Sequence, residues 1–97
     1  MTRQQFDNVS YKLSTLIDKQ ACACIKATFD SENFNRFFEA NHGIDYDYSY
    51  MGSHTVYVYV LVLNDPKFEG LDNIREFAGY VISTMAFDFM AKKIECM

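Results

Sequence analysis

Ninety-seven residues, 49% of them hydrophobic and 16% aromatic, suffice for one domain and are too apolar for intrinsic disorder, because buried rings offset the ordering entropy. The formal net charge of −4 argues against direct nucleic-acid binding, which relies on Lys and Arg to displace counterions. No stretch approaches the length of a membrane span and the opening MTRQQFDNVS lacks a signal-peptide core, so a single acidic domain over 1–97 acting in the cytoplasm is expected.

Taken in chain order, Phe6, Val9, Leu13, Leu16 and Ile17 recur at three- and four-residue steps, which predicts a helix with one apolar stripe and Thr2 as N-cap. Residues 22–29 read in two ways. The helix continues through Ala21, Cys24 and Ile25, as Ala-rich sequence favours. Alternatively a strand forms, with Cys22, Cys24, Lys26 and Thr28 on one face and Ala23, Ile25, Ala27 and Phe29 on the other. The strand is the preferred reading. Asp30 or Ser31 then caps a second helix, which places Phe34, Phe37 and Phe38 together and ends at Gly43, where a left-handed backbone is cheap.

A strand over 44–51 follows, Ile44, Tyr46, Tyr48 and Tyr50 alternating with Asp45, Asp47, Ser49 and Met51. Gly52 and Ser53 turn the chain into TVYVYVLVL, a β-branched and aromatic run expected as the central strand. Asn64, Asp65 and Pro66 stop it. Leu71, Ile74, Phe77, Ala78, Val81, Ile82, Met85 and Phe89 trace a last, long helix, with Lys92 and Lys93 in its final turn where cations favour the dipole. The expected fold is α+β in the order α-β-α-β-β-α, a small antiparallel sheet of two to three strands against three helices. So small a core leaves a homodimer open.

Catalytic chemistry has little to stand on. Cys22, Cys24 and Cys96 are odd in number, with an i, i+2 pair ill suited to a structural disulfide, and read as three thiols of a cytosolic protein. No signature ties a cysteine to His42 or His54 as base. The single-residue gap between Cys22 and Cys24 is shorter than structural zinc prefers, and the four glycines are too scattered to cradle a phosphate. No catalytic residue, metal site or cofactor is expected.

Charge is more informative. Residues 28–76 carry nine carboxylates against Arg36, Lys67 and Arg75, a net −6, whereas the first 27 residues are net +2 and the last 21 net zero. Asp30, Glu32, Asp45, Asp47, Asp65, Glu69 and Asp72 are the candidate partner-binding residues, with Tyr48 as a flanking aromatic. On one strand face Asp45 and Asp47 stand about 6.8 Å apart, an interval of about two phosphates at the roughly 3.4 Å spacing along each strand of duplex DNA. Such carboxylates imitate a phosphate row for a basic groove. The competing readings are acids that only keep the protein soluble, core packing of the tyrosines, and an interaction or homodimerisation module that uses a Tyr-rich sheet face.

The run FEANHGIDYDYSYMGSHTVYVYVLVLNDP, with the opening MTRQQFDNVSYKLSTLIDKQ, resembles the phage-encoded anti-CRISPR proteins directed at the type I-F surveillance complex, most closely the tenth type of that series. The resemblance extends over all 97 residues and includes no diagnostic motif. It implies a DNA mimic that occupies the site where the complex's large subunit and adjacent tail subunit grip the target duplex at the PAM, so that target DNA is excluded before an R-loop forms. From the charge and the lack of an apolar span, no direct contact with nucleic acid or membrane is expected.

Overall fold

The computed structural model describes residues 2–18, 24–41, 46–62 and 79–97. The first helix, α1 (Arg3–Asp18), opens with a reciprocal cap: the Gln5 amide donates to Thr2 Oγ1 at 3.1 Å while the Thr2 amide donates to Gln5 Oε1 at 2.8 Å. Two otherwise orphaned N–H groups are thereby satisfied. Phe6 and Leu13 are buried and Val9 packs against them, as the stripe predicts; the side chains of Leu16 and Ile17 lie outside the described set.

Residues 24–30 resolve the ambiguity in favour of the strand. In β1 (Cys24–Asp30) burial alternates, with Ile25, Ala27 and Phe29 at 0% exposure. Asp30 then caps α2 (Ser31–Ala40), Oδ1 accepting from the Asn33 amide at 2.8 Å and Oδ2 from Asn33 Nδ2 at 3.0 Å. Phe34 and Phe37 are buried, whereas Phe38 is 40% exposed. The helix ends at Ala40, with Asn41 as C-cap donating from its backbone and side-chain amides to the Phe37 carbonyl; Gly43 lies outside the described residues.

The hairpin forms as expected but with a shorter first strand, β2 (Asp47–Tyr50), joined to β3 (Thr55–Leu61). Gly52, at φ +81°, supplies the left-handed turn residue. Helical residues 79–88 form α3, whose second half (Thr84–Asp88) widens into a π turn. The part of the predicted helix over 71–78 lies outside the described residues.

Two sequence expectations fail at the C-terminus. Lys92 and Lys93 are not in a helix: Met90 sits at φ 51°, the chain reverses, and a fourth strand, β4 (Lys93–Cys96), follows. Cys96 is disulfide-bonded, while Cys24 keeps its thiol. β4 lies antiparallel to β1 with Cys96 level with Ile25, so the cysteine at the far end of the chain returns to the first strand, which spacing along the chain does not reveal. The compartment argument drawn from three thiols falls with it.

The four strands make one antiparallel sheet in the order β2-β3-β1-β4. One face carries Ile25, Ala27, Phe29, Val56, Val58, Val60 and Ile94, all buried against the helices. Phe29 stacks on Phe37 at 5.3 Å, and Val81, Ile82 and Met85 of α3 join the same core. Each such side chain contributes about 1.5–3 kcal/mol by leaving water. On the other face β1, β2, β3 and β4 present Lys26 and Thr28, Asp47 and Ser49, Tyr57 and Tyr59, and Lys93 and Glu95.

Candidate functional site: the acidic residues and the divided tyrosine ladder

Strand parity divides the tyrosines. Tyr48 and Tyr50 stand level with Val58 and Val56, on the helix side of the sheet, while Tyr57 and Tyr59 point to the opposite face. Tyr46 is half-buried, its ring 5.1 Å from Phe37. Burial pushes its pKa up, with a smaller contribution from Tyr48. Tyr48 and Tyr50 instead sit at the rim, 45% and 57% exposed, with their rings 4.9 and 6.0 Å from Phe34. Core packing therefore accounts for Tyr46 and not for the next two.

The described acids do not form one row. Asp47 is level with Tyr59 and Asp30 with Thr55, so they lie about 14 Å apart along the strands and about 10 Å across them. Asp30 is half-buried and both of its oxygens are engaged in capping α2. Glu32 is exposed in the first turn of that helix, where a carboxylate favours the dipole. Asp47 is exposed on the outer sheet face beside Tyr57 and Tyr59. Asp45, Asp65, Glu69 and Asp72 lie outside the described residues, and the proposed Asp45–Asp47 spacing with them.

Among the described residues, ion pairs engage acids near the ends of the chain and none in its middle, although exposed Asp88, outside 28–76, is unpaired as well. Among the described residues, the carboxylates in ion pairs are Asp7, 3.3 Å from Arg3, and Glu95, which meets Lys26 at 3.8 Å and Lys93 at 3.5 Å. Both lie outside 28–76. Asp30, Glu32, Glu39 and Asp47, inside it, have no cationic partner among the described residues. The charge of Glu32, Glu39 and Asp47 is left for whatever approaches, while both oxygens of Asp30 are taken up by the α2 cap.

Two side chains that the sequence did not single out add to the charged surface, one on the outer sheet face and one on α2. Lys26 places its ammonium 4.1 Å from the Tyr57 ring centre, a cation–π contact, and Glu39 adds an exposed carboxylate on α2. The alternation in β1 put Lys26 on an outward face; that Tyr57 lies beside it depends on the β1–β3 register.

The described thiol and histidine are not arranged for nucleophilic chemistry. Cys24 is level with Leu61 and His54 immediately precedes Thr55, so β3 holds them about 20 Å apart. Burial pushes the Cys24 thiol up, a backbone hydrogen bond at Val60 opposes this, and the Asp47 charge adds to the rise. The thiol thus stays protonated and weakly nucleophilic at neutral pH. His42 lies outside the described residues, and no cluster of His, Cys, Asp and Glu able to hold a metal occurs among the described ones. No described helix is long and apolar enough to cross a membrane. No family model, curated protein or solved structure matches this chain.

Proposed function

We propose that this protein is a stoichiometric, non-enzymatic inhibitor that mimics duplex DNA and occupies the PAM-proximal duplex site of the type I-F surveillance complex, in the cytoplasm of the bacterial host. The observation that carries the reading is the un-neutralised charge of the middle segment, in which Glu32, Glu39 and Asp47 are exposed without an ion-pair partner among the described residues. A groove lined with Lys and Arg on the large subunit and its tail neighbour supplies the complementary field. The sequence resemblance supports the same partner. The exposed candidates fall on two sides of the sheet, Glu32 and Tyr48 on the helix side and Asp47 on the outer face; Asp30 enters mainly by orienting the helix that carries Glu32.

The test is a gel shift in which the surveillance complex is preincubated with this protein and then offered PAM-containing duplex. Loss of DNA binding is expected at about one inhibitor per complex, with affinity falling as salt is added. An Asp45→Asn, Asp47→Asn double variant should weaken inhibition by more than about 1 kcal/mol, roughly fivefold or more. Unimpaired DNA binding at saturating inhibitor overturns the proposal, as does inhibition far below one per complex. The Cys96 disulfide is the feature that fits a cytoplasm least, so the titration is run with and without reductant.

A further inference from the structure

Among the described residues, β2 forms an edge of the sheet that no further strand covers. The Met51 amide donates to the Thr55 carbonyl at 2.8 Å, so these two residues form a hydrogen-bonded pair. In an antiparallel ladder such pairs alternate, which makes Ser49–Tyr57 and Asp47–Tyr59 hydrogen-bonded as well. The N–H and C=O groups of Tyr48 and Tyr50 therefore point away from β3, at the edge of the sheet, and no described residue pairs with them. All four residues of β2 are exposed. Proteins normally blunt such an edge by keeping it short or with charge, proline, a bulge or a covering element; β2 is short, and its one charge, Asp47, points to a sheet face rather than along the edge.

We infer that two copies of this chain associate through antiparallel pairing of β2 with β2, which makes one continuous eight-stranded sheet. The occupant is fixed by self-complementarity. Residues whose backbone groups point along the edge must meet residues that do the same, and the register in which both exposed tyrosines of each copy meet an exposed tyrosine sets Tyr48 opposite Tyr50 and Tyr50 opposite Tyr48, with the two-fold axis through Ser49. That register sets four tyrosine rings in a row on the helix side, two aromatic cross-strand pairs of the kind that stabilise sheets. It sets each Asp47 opposite Met51 rather than opposite another acid, so the −4 chain brings no like charges face to face. A foreign strand has no such reason to match in both ring placement and charge.

Exposure fixes the strength. Phe38, Tyr48, Tyr50 and Met51 are 40–57% exposed and together offer on the order of 400 Å² per protomer. A standard stable interface buries roughly 800 Å² per partner, so the dimer is weak and concentration-dependent.

Sedimentation velocity of the protein alone tests this independently of the inhibitor reading. From about 5 µM to about 500 µM the weight-average coefficient should climb towards the dimer value. Ser49 is exposed and faces its own copy across the axis, so Ser49→Asp and Ser49→Lys should each hold the protein monomeric at the highest concentration. An equimolar mixture of the two variants should associate again, more tightly than wild type. Circular dichroism of each variant confirms that the fold is retained. A wild type that stays monomeric throughout overturns the inference, including the case where the edge serves an extended segment of another protein. A dimer indifferent to both Ser49 charges overturns it equally.

Discussion

The two edges of the sheet are both four-residue strands, yet they are closed in opposite ways. At β4, Ile94 is 5% exposed against the core, Glu95 pairs with Lys26 and Lys93, and reciprocal hydrogen bonds of 2.8 and 3.2 Å between Cys24 and Met97 carry the ladder to the last residue. Cys96 adds a disulfide. At β2 all four residues are exposed, none is in a described ion pair, and the contacts are aromatic rings leaning on Phe34 and Phe38. The difference teaches that one edge is finished by the fold itself, whereas the other carries surface with more to gain from a partner.

The sharpest way to break that comparison is a pair of truncations. Ile94→Ala should cost about 2–4 kcal/mol in urea denaturation, since it empties a buried site in the core. Tyr50→Ala should cost under about 1 kcal/mol, because most of that ring is already in water. Equal costs would mean that β2 is as integral to the monomer as β4.

A smaller effect separates the structural acids from the displayed ones. Asp30→Ala should destabilise by about 1 kcal/mol through loss of the α2 cap, while Asp30→Asn, an equally good cap, should keep most of the stability. If Asp30→Asn also keeps full inhibition in the gel shift, Asp30 acts as a cap alone; a loss of inhibition at unchanged stability makes it a contact.

The smallest effect is alkaline. Cys24, whose backbone pairs with Met97 just beyond β4, and Tyr46, which leads into β2, both have pKa values raised, in each case chiefly by burial. A raised pKa means the folded state holds the proton more tightly than the unfolded chain. Their contribution is complete below the ordinary values of 9.0 and 10.0 and is lost as pH rises through the folded ones. The urea midpoint should therefore fall above about pH 9, and Cys24→Ser should remove the earlier part of the fall. A midpoint that is flat to pH 11 would show that neither group senses the fold.

Local sequence carried much of the architecture. The stripe of Phe6, Val9 and Leu13, the cap at Asp30, the β-branched and aromatic run of β3 and the glycine at the hairpin are short-range signals, and each reappears in the structure. β4 was not legible, because Lys-Ile-Glu-Cys is only four residues long, aims just Ile94 and Cys96 at the core, and follows a strongly helical pattern. Only Met90 in a left-handed conformation breaks that pattern, and nothing in a methionine announces it. The acid-rich middle was legible as charge, but its arrangement was not. Asp30 and Asp47 are 17 residues apart in sequence and fall at opposite ends of β3 because of two strand registers.

Composition and periodicity, properties of neighbouring residues, thus determined an acidic, aromatic α+β domain with its helices, its hairpin and its central strand. Tertiary pairing alone decided which tyrosines face the helices, which acids stay unneutralised, where Cys96 comes to rest and which sheet edge is left open. Those outcomes depend on the register between segments far apart in the chain, and a one-residue slip would reverse every face.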